Sequence, residues 1–470
     1  MGWPTGSPPV GLTRMTDKTG KADSLEGLVA MIIVGFQMLS TFLPLENYLA
    51  PQYRLANDPV VVTAFPSATL TLVITIACLA FFSFRDVDRM MQAALKSWPL
   101  LLFCAYAFVS VTWSAEPSTV INRCARLTII VVYPIYLVQR FAYDELLKLL
   151  TRAFAIAAVS SYVAVAFFPA YGLSLLNGYT DAWRGASSHK NFLGATAALG
   201  SLVVFESFRR RASNRLFAAV TFLALLGLLV NARSATGAIS ALICLVIAAI
   251  SLLRSPSDKV LVTLLLLTVG LVLALVQQST DLLSLVGRSS DLTGRTPIWQ
   301  AVWYIIQRRP ILGYGYGFWN IKSSETQIID GLVGTSVPHS HNNWLDVWIQ
   351  LGVVGVALAA FLFLRAGRLS LRAMKLGSAT TMLPSLLILN IFIRGFSETV
   401  LTDPGTASMF WLALSFTMLT DELSRVGQTE PVTASGRRAV GAGRQGGVRR
   451  AAGVMRPEAH PPGASVSKGS

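Results

Sequence analysis

The sequence predicts an all-α polytopic integral membrane protein with about 12 transmembrane helices and one long outer loop containing short helices. Three observations lead there. The 470-residue chain is 53% hydrophobic and only 13% charged, with a mean hydropathy of +0.56, too apolar for an ordinary soluble domain. Its apolar residues gather into stretches long enough to cross about 30 Å of hydrocarbon. The lysines and arginines between those stretches concentrate in every second loop, as cytoplasmic loops require.

In chain order, residues 1–24 are polar, hold Arg14, Lys18 and Lys21, and lack a cleavage pattern ahead of the first span, so they read as a cytoplasmic tail before a retained helix. Spans follow near 28–45, 61–84, 97–112, 122–139, 148–169 and 191–206, then near 216–231, 236–253, 260–277, 344–364, 379–393 and 405–420. The membrane domain therefore covers 25–421, with the long outer loop over about 278–343. Basic residues cluster at Arg85, Arg89 and Lys96, at Arg140 and Lys148, and at Arg209, Arg210, Arg211 and Arg215. Arg254 and Lys259, then Arg365, Arg368, Arg372 and Lys375, fall on the same side, which puts both termini in the cytoplasm. Residues 422–470 are rich in Gly, Ala, Arg and Pro and read as a disordered basic cytoplasmic tail suited to anionic lipid, not nucleic acid. The net charge of +15 is thus mostly topology plus tail. Cys78, Cys104, Cys124 and Cys244 lie in apolar spans without metal-like spacing and read as small hydrophobes.

A loop as long as 278–343 is usually functional or disordered, and its residues favour function. Pro297 introduces a possible amphipathic helix over 298–306, with proline in the first turn, where its missing N–H is no loss, and apolar spacing suited to a membrane surface. Gly313, Gly315 and Gly317 alternate in Leu312-Gly313-Tyr314-Gly315-Tyr316-Gly317, a pattern for a turn or a close backbone approach. It is not a phosphate loop, because no Gly-Lys-Ser/Thr follows.

Single arginines on the outer side run against the charge rule: Arg184, Arg233, Arg295 and Arg394 each sit at or near a membrane boundary. Arg233 is the sharpest case, since 231–237 is only a tight turn between two apolar helices, and a guanidinium there is costly unless something anionic meets it. Snorkelling or a carboxylate partner is the plain alternative, and for Arg394 a pair with Glu398 is an equal one. Arg288, Arg308 and Arg309 read better as ordinary surface arginines. Arginine grips phosphate through two parallel hydrogen bonds and never loses its charge, so several converging arginines suit a diphosphate. A lipid diphosphate would supply both its own bilayer anchor and a leaving group.

Such chemistry needs a base, and histidine's ordinary pKa of about 6.5 fits. Of the four histidines, His460 lies in the tail and His189 at the outer start of a helix, while His339 and His341 close the long loop in Pro338-His339-Ser340-His341-Asn342-Asn343-Trp344. His341 is favoured as base because Asn342 and Asn343 can orient it and cap the following helix. Two histidines this close could bind a metal, but no outer Cys or acidic cluster completes a ligand set at readable spacing, and no metal is expected. Two loop histidines with no role are the remaining alternative.

Five motifs in order, Ser-His-Lys-Asn-Phe-Leu-Gly at 188–194, Asn-Ala-Arg-Ser-Ala-Thr-Gly at 231–237, Gly-Arg-Thr-Pro-Ile-Trp at 294–299, Leu-Gly-Tyr-Gly at 312–315 and His-Ser-His-Asn-Asn-Trp-Leu at 339–345, resemble the O-antigen ligase and polymerase superfamily. The first leans toward its exopolysaccharide-polymerising branch, and the resemblance covers roughly residues 180–400. It implies a membrane glycosyltransferase acting on undecaprenyl-diphosphate-linked glycan at the outer face of a bacterial inner membrane, with no cofactor, metal or nucleotide sugar. Carried over by motif, His341 is the base and Arg233 and Arg295 hold the diphosphate, with Arg184, His189, His339, Asn342 and Arg394 as further substrate-binding candidates. Ala235 departs from the pattern, since similar proteins often carry a second basic or polar residue there. The implied reaction is an inverting transfer in which His341 deprotonates the acceptor hydroxyl. Its partners are a lipid-diphosphate-linked oligosaccharide donor, a saccharide acceptor, the membrane, and a flippase and chain-length regulator, with no nucleic acid. A polymerase ranks first and a ligase second. A transporter ranks last, because Arg123 and Arg126 enter one span from outside and deep charges elsewhere are scarce.

Overall fold

Long runs of Leu, Ala, Val and Ile without alternating polarity favour helix, and every regular segment of the computed structural model is helical. The structure describes residues 20–38, 87–174, 181–252, 295–378, 380–403 and 407–429. Outside them lie the spans expected near 61–84 and 260–277, the long loop before 295 with Arg288, Cys78, residues 1–19 and most of the tail. Among the described residues there is no strand, only two isolated bridges, Gly20 with Phe141 and Leu173 with Trp183. The described residues up to Arg425 belong to one compact unit.

The helices are α1 (Leu25–Met38), α2 (Val87–Lys96), α3 (Trp98–Val109), α4 (Pro117–Arg140), α5 (Tyr143–Phe167), α6 (Lys190–Arg210), α7 (Arg215–Asn231) and α8 (Ala235–Leu252). After the gap come α9 (Arg295–Ile306), α10 (Ser324–Val333), α11 (Asn343–Lys375), α12 (Met382–Arg394) and α13 (Ser408–Thr429). Five of them, α4, α5, α6, α8 and α11, are long and apolar enough to cross a membrane, and α2 with α3, bent by 82°, would make a sixth. Every expected span within the described residues falls on a helix, but α7, α12 and the described part of α1 are shorter than a full crossing. The last helix also outruns its expected end at 421: Arg425 pairs with Asp421 one turn back at 2.9 Å, and the helix continues to Thr429.

The two ends of the bundle differ in chemistry. At one, basic residues meet carboxylates: Arg140 pairs with Glu26 at 2.6 Å, Arg210 with Asp144 at 2.7 Å, and Lys148 and Arg152 both with Asp23. Residues 20–24, counted with the tail from the sequence, are ordered here, with the Ala22 N–H donating to Glu145. The 21 residues of α6 span about 30 Å to the other end, where the starts of α6, α8 and α11 meet the ends of α7 and α12.

From Arg295 on, the long outer loop is packed against the protein. Ala301, Val302, Ile305 and Ile306 of α9 join Phe318, Ile329 and Ile349 in a second small core, so the apolar face of this helix rests largely on protein while Trp303 and Tyr304 point outward. A capping box between Ser323 and Thr326 starts α10, and Gly334 in the left-handed conformation ends it.

The glycine run 313–317 explains a break in α11. At Gly352 the backbone adopts φ 65°, ψ −171°, a conformation only glycine takes readily, and the helical bonds lapse there. The loop supplies them instead. Tyr314 N–H donates to Ile349 O at 2.9 Å, Gly315 N–H to Gln350 O at 2.8 Å, and Val353 N–H donates to Pro310 O at 2.9 Å. A Cβ on Gly352 would stand 1.9 Å from Ile311 O, and one on Gly313 would stand 2.7 Å from the Gln350 backbone.

Candidate active site

The segment joining α12 to α13 is where the separate motifs meet. Asn191, the second residue of α6, donates from Nδ2 to Glu398 Oε1 at 2.8 Å. Thr236, at the start of α8, shares a 2.7 Å hydrogen bond with the Ser397 hydroxyl. Arg295 opens α9 and donates from Nη1 to Ser397 O at 2.6 Å and from Nη2 to Glu398 Oε1 at 3.3 Å. From α11, the Asn343 N–H donates to Gly395 O at 2.9 Å, its Oδ1 accepts from the N–H of Val400 and Leu401, and Asp346 accepts from Thr399. Four chain segments far apart in sequence are thus pinned on residues 395–401.

Two of the motifs also pack directly on one another. Gly194 of α6 lies against Ser234, where a Cβ would come within 2.4 Å of the serine Cβ, and a Cβ on Gly237 would stand 2.9 Å from Gly194 O. These closing glycines let α6 and α8 approach closely. Lys190 then donates from Nζ to Arg233 O at 3.1 Å, tying the first motif to the turn of the second.

His341 faces Glu398, with Nδ1 3.7 Å from Oε2. It sits at φ 55°, and Arg233 at φ 46°, both in the left-handed region where a side-chain-bearing residue is strained, a condition that clusters at functional sites. The His339 ring lies 4.0 Å from that of His341. Burial would push the Glu398 carboxyl up, but its interactions with His341, Arg295 and His339 outweigh this and hold it down to about 2, so it is ionised. His339 is pushed down by burial and then by the charge of His341. His189 caps α6, its Nδ1 accepting from Asn191 N–H at 3.2 Å, and burial pushes it down to about 4. Accepting at Nδ1 leaves its proton on Nε2, so His189 offers a donor and not a base.

The arginines differ in what already holds them. Arg233 is exposed, and no carboxylate pairs with its side chain among the described residues. Arg295 has committed two of its five N–H donors to the Ser397–Glu398 segment. Arg184 is anchored elsewhere, its Nε donating to Tyr171 O and its guanidinium 4.4 Å from the Tyr171 ring centroid. Arg394 is 2% exposed, with Nη1 unpartnered, and its backbone oxygen accepts from the N–H groups of Ser397 and Glu398. Burial places it beneath the site. Arg308 and Arg309 lie against Tyr304 and Tyr314, as ordinary surface arginines do.

Asn342 accepts at Oδ1 from the N–H of Trp344 and Leu345 and so caps α11 as expected. The expectation that Asn342 and Asn343 orient the His341 ring is corrected: both fix backbone, and the group facing the imidazole is Glu398. Sequence reading weighed Glu398 only as a partner for Arg394, because that spacing is local. An acid in a short outer segment otherwise poor in charge was the available signal. Glu398 also completes what the sequence lacked for a metal, since one ligand atom from each of His339, His341 and Glu398 lies within 4.8 Å of the others. Oε1 already accepts from a guanidinium and an amide, which leaves Oε2 and the two imidazoles as the atoms that a cation could take.

The family described as O-antigen ligase matches residues 218–360, a stretch holding Arg233, Arg295, His339, His341 and Asn342 but not Glu398. The exopolysaccharide production protein ExoQ of Rhizobium meliloti (strain 1021) is 26% identical over 341 residues, covering 68% of this chain and 76% of that protein.

Proposed function

Because the chain belongs to the O-antigen ligase and ExoQ-like superfamily, we propose that it is an exopolysaccharide or O-antigen polymerase. It transfers glycan from an undecaprenyl-diphosphate-linked donor to an acceptor sugar hydroxyl, with inversion and without a metal. The observation that carries this reading is the convergence of the motif residues Asn191, Thr236, Arg295 and His341 around Ser397 and Glu398. The site end faces the periplasm or the exterior, with about twelve spans and both termini cytoplasmic. Support comes from the opposite end, where the basic loops gather.

The steps follow from the donors and acceptors present. A carboxylate only accepts, so Glu398 favours the His341 tautomer protonated at Nδ1, and Nε2 is left as the base. The 3.7 Å separation closes to a hydrogen bond as charge develops. Nε2 takes the proton of the acceptor hydroxyl while its oxygen bonds to the anomeric carbon. The bond from that carbon to the diphosphate oxygen breaks on the opposite face, and its electron pair leaves with the diphosphate. The free Arg233 guanidinium and the remaining N–H groups of Arg295 stabilise that departing charge.

A ligase that moves finished glycan to a lipid core or another acceptor uses the same chemistry, and the family description favours keeping that reading second. Reconstitution in liposomes with a single lipid-diphosphate-linked oligosaccharide separates the two. Progressive elongation supports a polymerase, whereas elongation only after a different acceptor is added supports a ligase. His341→Ala should cost at least about a hundredfold in rate, and Arg295→Ala should lower turnover more than it weakens binding. Near-normal rates in His341→Ala would remove the base.

A further inference from the structure

Within its first three turns α4 carries two arginines, Arg123 and Arg126, three residues apart and so on neighbouring faces. An arginine inside a membrane-crossing helix is expensive to keep and marks function unless something answers its charge. Arg123 is answered in part: Nη2 lies 3.6 Å from Asp403 Oδ1, but its Nε is buried with no hydrogen-bond partner. Arg126 has no carboxylate partner among the described residues, and its Nε too is buried without one.

The glycine loop packs on the first of them. Gly317, at φ 88°, makes room for the Arg123 stem, since a Cβ there would stand 2.5 Å from Arg123 Cδ. Tyr316 beside it is fully buried, and its hydroxyl is also unpartnered, within electrostatic reach of Arg123 and Asp403. Among the described residues, Asp403 therefore answers Arg123 alone, while Arg126, close enough to feel the Arg123 charge, has no carboxylate and the Tyr316 hydroxyl no partner. The cluster adjoins the histidines, because Asp403 follows Glu398 by five residues and its charge acts on His339.

We propose that Arg123, Arg126 and Tyr316 bind the diphosphate of a second lipid-linked glycan, the acceptor, as Arg295 and Arg233 bind that of the donor. The inference rests on the polymerase reading, in which both substrates carry the same anchor. Two guanidiniums with free N–H groups match the forked geometry of a diphosphate, and the phenol adds a neutral donor. A position within a membrane helix suits an anion held at bilayer level by its own lipid. A ligase whose acceptor is not a lipid diphosphate would have no use for a second such site.

The test counts farnesyl diphosphate bound to the full-length protein in detergent by native mass spectrometry. We expect two per chain in the wild type and one in each of Arg126→Gln and Arg295→Gln. Arg126→Lys, which keeps the charge without the fork, should retain the second ligand with about tenfold weaker affinity. One ligand in the wild type, lost only in Arg295→Gln, overturns the second site and leaves the donor reading standing. Loss in Arg126→Gln but not in Arg295→Gln upholds the cluster and overturns the donor assignment, and no binding overturns both. Phosphatidylglycerol shares the phosphate group, and displacement of the second ligand by an equal concentration of it would assign the cluster to bulk anionic lipid and overturn the proposal. Retention against phosphatidylglycerol, with displacement by a diphosphate lipid, supports it.

Discussion

Replacing Glu398 by glutamine removes one charge while keeping nearly the same shape, and its consequence can be worked from the distances. Once His341 has taken a proton, the imidazolium faces the carboxylate at 3.7 Å, worth roughly 4 kcal/mol at an effective dielectric of about 20. The same carboxylate is shared with Arg295 Nη2 at 3.3 Å and Asn191 Nδ2 at 2.8 Å, so about half of that is a fair allocation to His341. A loss of about 2 kcal/mol in the transition state is about 30-fold in kcat, with KM little changed. The assay is the initial rate of elongation in liposomes, run with Glu398→Gln, His341→Ala and the double variant. If Glu398 acts through His341, the double variant should be no slower than His341→Ala alone. Full kcat in Glu398→Gln, or a further 30-fold loss in the His341→Ala background, would refute the reasoning. Thermal unfolding of Glu398→Gln checks that the anchoring of Arg295 has not been lost with it.

Three further outcomes are expected. Burial holds His189 neutral in the fold, its pKa down at about 4 against an ordinary 6.5, so between those values the unfolded chain binds a proton that the folded one refuses. Stability should therefore be flat above pH 6.5 and fall toward pH 4 by up to about 3 kcal/mol. In His189→Asn, which keeps an acceptor for the α6 cap, thermal unfolding should lose that slope, and an unchanged slope would assign it to other groups. Gly352→Ala drives a Cβ onto Ile311 O and should cost more than about 3 kcal/mol, read as loss of the monodisperse protein in detergent. Gly331→Ala, which meets nothing within 4 Å, should be tolerated and is the control. Prolonged chelation with EDTA should leave elongation unchanged, whereas loss restored by one divalent ion would make His339, His341 and Glu398 a metal site.

The helices were legible because a span is written as a continuous apolar run, and the regular charge of the loops ordered them. The 82° bend between α2 and α3 was not, because no sequence period records the direction in which a helix leaves its predecessor. In the site, the motifs were readable one at a time, yet their common partner was not. Glu398 stands four residues from Arg394 but 103 from Arg295 and 207 from Asn191, so only the local pairing was visible. Gly194 and Gly237 were read within motifs suggestive of chemistry, and the structure gives them packing roles instead. Conversely, the alternating glycines at 313–317 were read correctly as a close approach, because that inference depends on local backbone sterics. Its target, the break at Gly352, lies about forty residues away.

That break has a mechanical consequence. The nine residues from Asn343 to Leu351 follow the Asn342 cap beside His341 and carry the anchors to Gly395 and Leu401, while the 23 residues from Val353 to Lys375 are long enough to span hydrocarbon unaided. A straight helix of 33 residues would relay every adjustment of its membrane half to the histidines, as a lever does. The joint at Gly352, clasped by residues 310–315, interrupts that lever, so a tilt of the lower half to match thicker or thinner bilayers is expected to leave the register of the upper half against Glu398 unchanged. The geometry around His341 and Glu398 is thereby expected to be insulated from lipid composition, and the proposed elongation should keep its rate across vesicles whose acyl chains differ by several carbons.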